Sequence, residues 1–581
     1  MTGWWNRYPK AYEAEIAGLD SLGSPWRKDE GAFQNGLLVV DLDYKLGDGR
    51  NISLRATYPD SYPYFAPTVE LPELIFPRHQ NPLGKNLCLL ARNGEEWSPG
   101  TDTLAALLKE QLPRLIAVVA ETAESEFVKS EEDHTGEPLS NFLPYASECM
   151  IVVPDELPSA QHSCGRLVLH VRELTAGLKD PPYVNGVIRT IADLNRKPLV
   201  EFSVKTPAYT KDMTGFWLRL KDRPDIPANK QPEIVFIEMM QKGVPAFDKA
   251  VQAAKRGQIF IAGFTYQDEI SWRKNDEDWV FIAVRVKLET KGARAAQFEM
   301  RFIKADWGGE QAWLNRAPDL RPLRSKSVLV VGLGSLGSPL VMQLARAGIG
   351  HVHLVDFDQL QVGNTIRWAL GWRYAGCNKT RALHGQINAE YPYTTVNSHQ
   401  VHLGGLSHPD LTSDYELILE LIKSVDLVID AAASHRVSHF LSDLCLETKK
   451  NYVWLTTTPG CAGGIVGRIR SGHTKGCWNC FQRGLNNGKY LLPADGGDNE
   501  IQPGGCSQPT FIGAGVDSDE VALLASRLSI ATLCSESSNG YPDFEWEVAV
   551  GNFRGTKVSS APEWKTYTLE SDNSCGLCRS Q

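Results

Sequence analysis

The chain has 581 residues, too many for one compact core and enough for three or four domains. Hydrophobic residues make up 42% and charged residues 22%, which excludes wholesale disorder and a fibrous repeat. The formal net charge of −9, from 69 acidic and 60 basic residues spread along the chain, argues against a nucleic-acid binder that relies on bulk positive charge.

From the N-terminus, residues 1–145 form a first regime. Gly36 to Pro59 alternates apolar and polar residues on both sides of a Gly-Asp-Gly turn, which predicts two antiparallel strands. A proline-rich crossing follows. Then Leu104, Leu107, Leu108, Leu112, Leu115 and Val119 recur at helical spacing, predicting a helix from Thr101 to about Phe127. The polar run Lys129 to Pro138 reads as an exposed exit. Residues 146–321 mix strands such as RLVLHVREL and DWVFIAVRVKL with helical stretches and carry no chemical motif. Residues 322–581 open on a βαβ pattern and hold most of the remaining cysteines. The expected class is therefore α/β multidomain: an N-terminal α+β domain, a central α+β linker and a C-terminal Rossmann-like domain. No secretory signal and no apolar run of about 18 residues is present, so a cytoplasmic protein without a membrane segment is expected, its 12 cysteines mostly reduced thiols.

SVLVVGLGSLGSPLVMQLARAGIGHVHLVDFD sets a β-branched strand before Gly332, Gly334 and Gly337, then a helix, then a strand ending at Asp356. Such glycines let backbone approach phosphate, the helix start offers free N–H groups, and the acid suits ribose hydroxyls. A glycine turn that only packs a helix on a sheet is the plainer alternative. Asp356 and Asp358 then lead into a segment supplying Asn364, Arg367 and Lys379. LVDFD followed by N-x-x-R and a nearby lysine resembles the ThiF, MoeB and ubiquitin-activating group over residues 322–535. The resemblance implies adenylation of a small protein's C-terminal glycine with ATP and Mg2+. Asp356 would hold the ribose, and Asn364, Arg367 and Lys379 would contact the phosphates. Carboxylate attack at the α-phosphate builds negative charge that cationic donors stabilise.

One departure stands out. The group carries D-x-x-D after the next strand, whereas this chain reads Asp430, Ala431, Ala432, Ala433, so either Asp430 takes the magnesium role, which is the expectation, or another acid supplies it, or adenylation is impaired. Arg316, Arg321 and Arg324 are candidates for the arginine that the group inserts into a partner's site, and the resemblance implies a homodimer.

Cys477 with Cys480, and Cys575 with Cys578, form two CxxC pairs, a set that suits tetrahedral Zn2+ in a structural role. Cys506 lies in a Gly- and Pro-rich loop before a helix, where dipole and backbone donors favour thiolate. The resemblance makes it the thioester nucleophile, with Cys461 as runner-up. Cys445 and Cys534 read as packing residues, and Cys149, Cys164 and Cys377 have no constellation around them.

TYPDSYPYFAPTVELPE, then HQNPLGKNLCLLARNGEEWSP, then a long helix resembles the ubiquitin-conjugating fold. That implies Cys88 as acyl acceptor and Asn81 as oxyanion donor, with His79-Gln80-Asn81 in place of the usual His-Pro-Asn. The order of modules is similar to the fused conjugating and activating enzymes of bacterial CBASS antiphage operons. This implies conjugation of a cGAS/DncV-like nucleotidyltransferase through its C-terminal glycine, or of a ubiquitin-like protein, to target amines. A silent scaffold and a nicotinamide-dependent oxidoreductase are the rival readings. No direct nucleic-acid contact is expected.

Overall fold

The computed structural model describes the chain except residues 1–2, 47–48, 77, 91–96, 121–135, 173–183, 228, 255–256, 272–273, 288–296, 405–412, 496–499, 502–509, 555–558 and 578–581. It divides into two compact units: Met1–Phe202 with Thr210–Asp306, and Ser203–Tyr209 with Trp307–Gln581.

The first unit begins with helices Trp4–Arg7 and Pro9–Asp20 and a four-stranded antiparallel meander, β1 (Trp26–Lys28), β2 (Val39–Lys45), β3 (Asn51–Thr57) and β4 (Thr68–Glu70). Strands β2 and β3 pair from Val39↔Thr57 to Lys45↔Asn51, as the alternation around the turn predicts. Val40, Leu42, Ile52, Leu54 and Ala56 pack against the helix Leu104–Ala120, whose leucines form its buried face. Beneath lies a buried carboxyl, Glu15, which accepts from Tyr58 Oη, Tyr62 Oη and the Leu104 N–H. Burial pushes its pKa up, against those three donors.

The same unit continues into strands β5 (Tyr145–Val153), β6 (Cys164–Val171), β7 (Asn185–Ala192), β8 (Pro198–Glu201), β9 (Lys211–Arg219), β10 (Ile259–Ser271), β11 (Lys274–Lys287) and β12 (Gln297–Trp307). Their order is β5-β12-β11-β10-β9-β6-β7-β8, and β5 also pairs with β7, so the sheet closes on itself. Helices Pro232–Gly243 and Pro245–Gln252 cover one wall through Phe236, Met240 and Phe247.

The second unit is an eight-stranded sheet in the order β15-β14-β13-β16-β17-β18-β21-β22. Strands β13 (Ser327–Val331), β14 (His351–Val355), β15 (Thr395–His399), β16 (Leu427–Asp430) and β17 (Asn451–Thr457) are mutually parallel, while β18 (Gly463–Ile469), β21 (Val548–Arg554) and β22 (Ser559–Tyr567) extend it antiparallel. Strands β19 (Glu500–Ile501) and β20 (Thr510–Phe511) form a small ladder of their own. One face is covered by helices Gly337–Arg346, Lys379–Glu390 and Gly515–Cys534, the other by Asp414–Ser424, His435–Thr448 and Trp478–Asn486. The central parallel strands β13, β16 and β17 are apolar on both sides, as burial between two helical layers requires. The strand order reverses at β13/β16, the point where open α/β sheets offer a crevice.

Candidate adenylation, thiol and metal sites

The glycine turn after β13 separates into two roles. Gly332 has φ +87°, and a Cβ there would lie 2.5 Å from the Ala432 backbone. A Cβ on Gly337 would lie 1.9 Å from the Gly332 carbonyl oxygen. Both are glycine because turn and helix are pressed against the sheet. Among the described residues, nothing lies within 4 Å of a Cβ added to Gly334. Its backbone is the part left open to a ligand, at the start of a helix whose first N–H groups have no intrahelical acceptor.

The acidic strand end folds back on that turn. Leu333 N–H donates to Asp356 Oδ2 at 2.7 Å and Asp358 N–H to Asp356 Oδ1 at 2.8 Å. The buried Trp368 indole donates to the Leu333 carbonyl at 2.7 Å, and Ala369 N–H to Ser338 Oγ at 3.1 Å. These bonds lay the segment carrying Asn364 and Arg367 across the glycine turn. Asn364 Oδ1 accepts from Gln361 N–H and closes a capping box on the short 3₁₀ turn Val362–Ile366. Arg367 is half-buried, and burial pulls its pKa down against the opposing influence of Cys461. Lys379, 9% exposed, starts the helix Lys379–Glu390 and reaches Asp358 Oδ2 at 2.8 Å. The sequence-predicted group of Asp356, Asp358, Asn364, Arg367, Lys379 and the glycines thus gathers at the C-terminal ends of β13 and β14. Trp368 was not among the expected residues, and its indole anchor is the missing tie.

Cys506 lies outside the described residues. Described residues before and after it contact the C-terminal side of the same sheet. Ala494 accepts from Thr458 Oγ1 at 2.5 Å, beyond the end of β17. On the far side, a Cβ on Gly515 would meet the Ile366 carbonyl at 2.9 Å and Arg367 Cα at 3.1 Å. Between them Glu500 pairs with Phe511 and Ile501 with Thr510. Cys461 is fully buried beside the β17 end, and Cys445 and Cys534 are also buried.

Asp430 is 1% exposed. Its Oδ2 accepts from Ser438 Oγ at 2.6 Å and Tyr452 Oη at 2.8 Å, and its Oδ1 from Ala432 N–H at 3.0 Å. Burial raises its pKa against those donors. The expected magnesium role does not fit this placement, because the carboxylate is enclosed and caps the strand end. Ala433, at φ +50°, has no ligand to offer. Of the candidate arginines, Arg324 is held by Glu310 and the Tyr393 carbonyl, Arg321 donates to Asn315, and Arg316 is exposed.

Cys477, Cys480 and Cys575 converge, each buried, with Sγ atoms within 4.8 Å of one another; Cys578 lies outside the described residues. The separations are 3.8 Å for Cys477–Cys480 and 3.7 Å for Cys477–Cys575. Tetrahedral thiolates about 2.3 Å from one ion stand about 3.8 Å apart, so the three sulfurs fit a metal. Asp572 N–H and Asn479 Nδ2 donate to Cys480 and Cys575, the outer hydrogen bonds such thiolates take.

In the first unit a tight hairpin holds the other thiol. Gln80 and Leu87 form an antiparallel bridge, Cys88 N–H donates to the His79 carbonyl at 2.8 Å, and Asn81 N–H to the Asn86 carbonyl at 2.8 Å. Cys88 is exposed. Asn81 Oδ1 is committed to the turn, accepting from Leu83 and Gly84 N–H, which leaves its amide nitrogen as the donor. Gln80, the residue replacing proline in the resembled motif, is 4% exposed. It accepts from Phe76 N–H and donates to the Leu71, Leu74 and Lys85 carbonyls. It fixes the loop by hydrogen bonds.

Residues 310–518 match the ThiF family model. Over 592 residues the chain is 30% identical to the uncharacterized protein y4qC of Sinorhizobium fredii, spanning 98% of this chain and 96% of that one. It is 28% identical over 600 residues to y4oA of the same organism, spanning 100% and 98%. A shorter stretch of 143 residues is 30% identical to the probable adenylyltransferase/sulfurtransferase MoeZ of Mycobacterium tuberculosis, covering 24% of this chain and 34% of MoeZ. Among the described residues no helix is long and apolar enough to cross a membrane.

Proposed function

The chain belongs to the family of the Sinorhizobium fredii protein y4qC and carries a ThiF/MoeB-family adenylyltransferase domain, and from that premise we propose that it activates a protein's C-terminal glycine with ATP. The observation that carries the reading is the convergence of Gly334, Asp356, Asp358, Arg367 and Lys379 on one rim. The carboxylate attacks the α-phosphate and pyrophosphate leaves. Lys379 and Arg367 offset the charge that builds there. Asp358 has the open carboxylate, its side chain 47% exposed, and would hold the magnesium that accompanies ATP.

In this reading the Cys506 thiolate attacks the acyl carbon and expels AMP. Cys88 then takes the acyl group by thioester exchange, and a target amine receives it. Residues 1–145 act as the conjugating module, 146–321 as the linker and 322–581 as the activating module. Cys477, Cys480, Cys575 and Cys578 would hold structural zinc. The activating modules pair as a homodimer, with Arg316 as the arginine offered to the partner. The acyl donor is a cGAS/DncV-like nucleotidyltransferase in antiphage defence, or a ubiquitin-like protein ending in glycine.

The test supplies ATP and a glycine-terminated partner and resolves adducts without reductant. The wild type forms thiol-sensitive adducts on both cysteines, Cys88→Ala retains the Cys506 adduct, and Cys506→Ala forms neither. An adduct on Cys88 in the Cys506→Ala variant contradicts the relay. A second reading, a scaffold without adenylation, is favoured by Ala433 and by the enclosed Asp430.

A further inference from the structure

The segment leading into the closed sheet is joined to the Cys88 hairpin by polar contacts that the relay does not use. Arg78 Nη1 lies 2.5 and 2.6 Å from the two carboxylate oxygens of Glu269, near the end of β10. The pair is largely covered, at 17% and 19% side-chain exposure. Next along the chain, His79 N–H donates to Glu137 Oε2 at 2.8 Å, and His79 Nδ1 stands 3.4 Å from Glu137 Oε1. Glu137 is 7% exposed. Leu83, at the hairpin tip, packs against the core of the closed sheet.

The acids are themselves held. A Cβ on Gly136 would come within 2.1 Å of the Glu269 carbonyl oxygen, so the backbone before Glu137 lies flat against β10. Leu139 N–H donates to Asp268 Oδ2 at 2.7 Å, and Arg223 bonds both Asp268 Oδ1 and the Glu137 carbonyl. His79 has φ +57°, a conformation a non-glycine residue keeps only when its surroundings impose it. Glu137 supplies that constraint by accepting the His79 N–H. The carbonyl of the same residue, His79, receives the Cys88 N–H.

We propose that Glu137 and Glu269 are positioning residues for the Cys88 thiol, the closed sheet acting through the His79 backbone to set where the acceptor cysteine stands. This rests on the reading of Cys88 as acyl acceptor and gives the central region a part in the transfer. A clamp of this kind makes thiol reactivity depend on carboxylates that never touch the thiol.

The experiment measures alkylation of Cys88 by iodoacetamide in the full-length chain, by peptide mass spectrometry, with exposed Cys377 in the second unit as internal reference. Glu137→Ala and Glu269→Ala are each expected to change the Cys88 rate by about threefold or more while the Cys377 rate stays constant. Glu137→Gln, which still accepts from His79 N–H, should recover most of the wild-type rate. Should an alanine variant lose its cooperative melt, Glu269→Gln, of the same shape, carries the test. Cys88 rates within about 1.5-fold of wild type in folded Glu137→Ala and Glu269→Gln overturn the proposal. Alkylation reads the thiol alone. A changed rate in a protein that never carries an acyl group on Cys88 therefore removes the acceptor reading and leaves the clamp standing.

Discussion

The Lys379 ammonium stands 2.8 Å from Asp358 Oδ2, and the Lys379 backbone N–H donates to the Asp358 carbonyl at 3.0 Å. This double tie sets a buried lysine stem at the mouth of the glycine turn with its charge paired to an open carboxylate. Replacing Lys379 by methionine keeps the stem and removes the charge. ATP–pyrophosphate exchange should fall about 10²-fold or more. The melting temperature should move little, because a pair with one open partner contributes at most about 1 kcal/mol. Equal losses of exchange and of stability would assign the pair to the fold.

The glycines divide stability from binding. Gly337→Ala forces a Cβ to within 1.9 Å of the Gly332 carbonyl oxygen, and should cost about 3 kcal/mol or more, or abolish folding. Gly334→Ala has room for its Cβ and should melt like the wild type while binding ATP more weakly. Thermal melts and nucleotide titrations of the two variants check this. A Gly334→Ala protein with unchanged ATP affinity would remove the open backbone from the site.

Local features were legible from the residues alone. The β2–β3 pairing, the βαβ unit with its glycine turn and two CxxC pairs are set by alternation, short spacing or backbone demand, all visible within about 30 residues. What escaped depends on partners distant in the chain. Trp368 and Leu333 are 35 residues apart, and His79 and Glu137 are 58 apart. Nothing in the string Asp430-Ala-Ala-Ala says that the carboxylate points at Ser438 and Tyr452 instead of outward. Nor does the sequence show that Gln80, standing where the resembled motif has proline, bonds four backbone groups through its carboxamide.

Removal of metal should act on stability first. With Cys477, Cys480 and Cys575 buried at 3.7 to 3.8 Å, a strong chelator or Cys575→Ser is expected to lower the melting temperature and to release about one zinc per chain. Metal content by mass spectrometry and the melt are the readouts. A protein that contains no zinc and is indifferent to chelator would leave these thiols as core packing.

Acid should find a different weak point. His353 stacks between His351 and His399, and burial, followed by these two neighbours, lowers its pKa from 6.5 to about 4. At this site the folded state binds fewer protons than the unfolded state between those values, so the His353 contribution to stability rises with pH across that window. The contribution of His353 is fully present above pH 6.5 and is lost as pH falls towards 4. His353→Gln should flatten this slope. Chemical denaturation of both proteins at pH 7 and near pH 5 measures it, and parallel slopes would place the acid sensitivity elsewhere.

The central claim is adenylation at the rim formed by Asp356, Asp358, Arg367 and Lys379. Pyrophosphate exchange into ATP, measured with and without a glycine-terminated partner protein, tests it most directly. The account predicts exchange that requires the partner's terminal glycine, is lost in Lys379→Met and survives in Cys506→Ala, because the thiol acts after the adenylate. ATP binding without any exchange, under conditions where the partner is bound, would contradict it and leave a scaffold of the same fold.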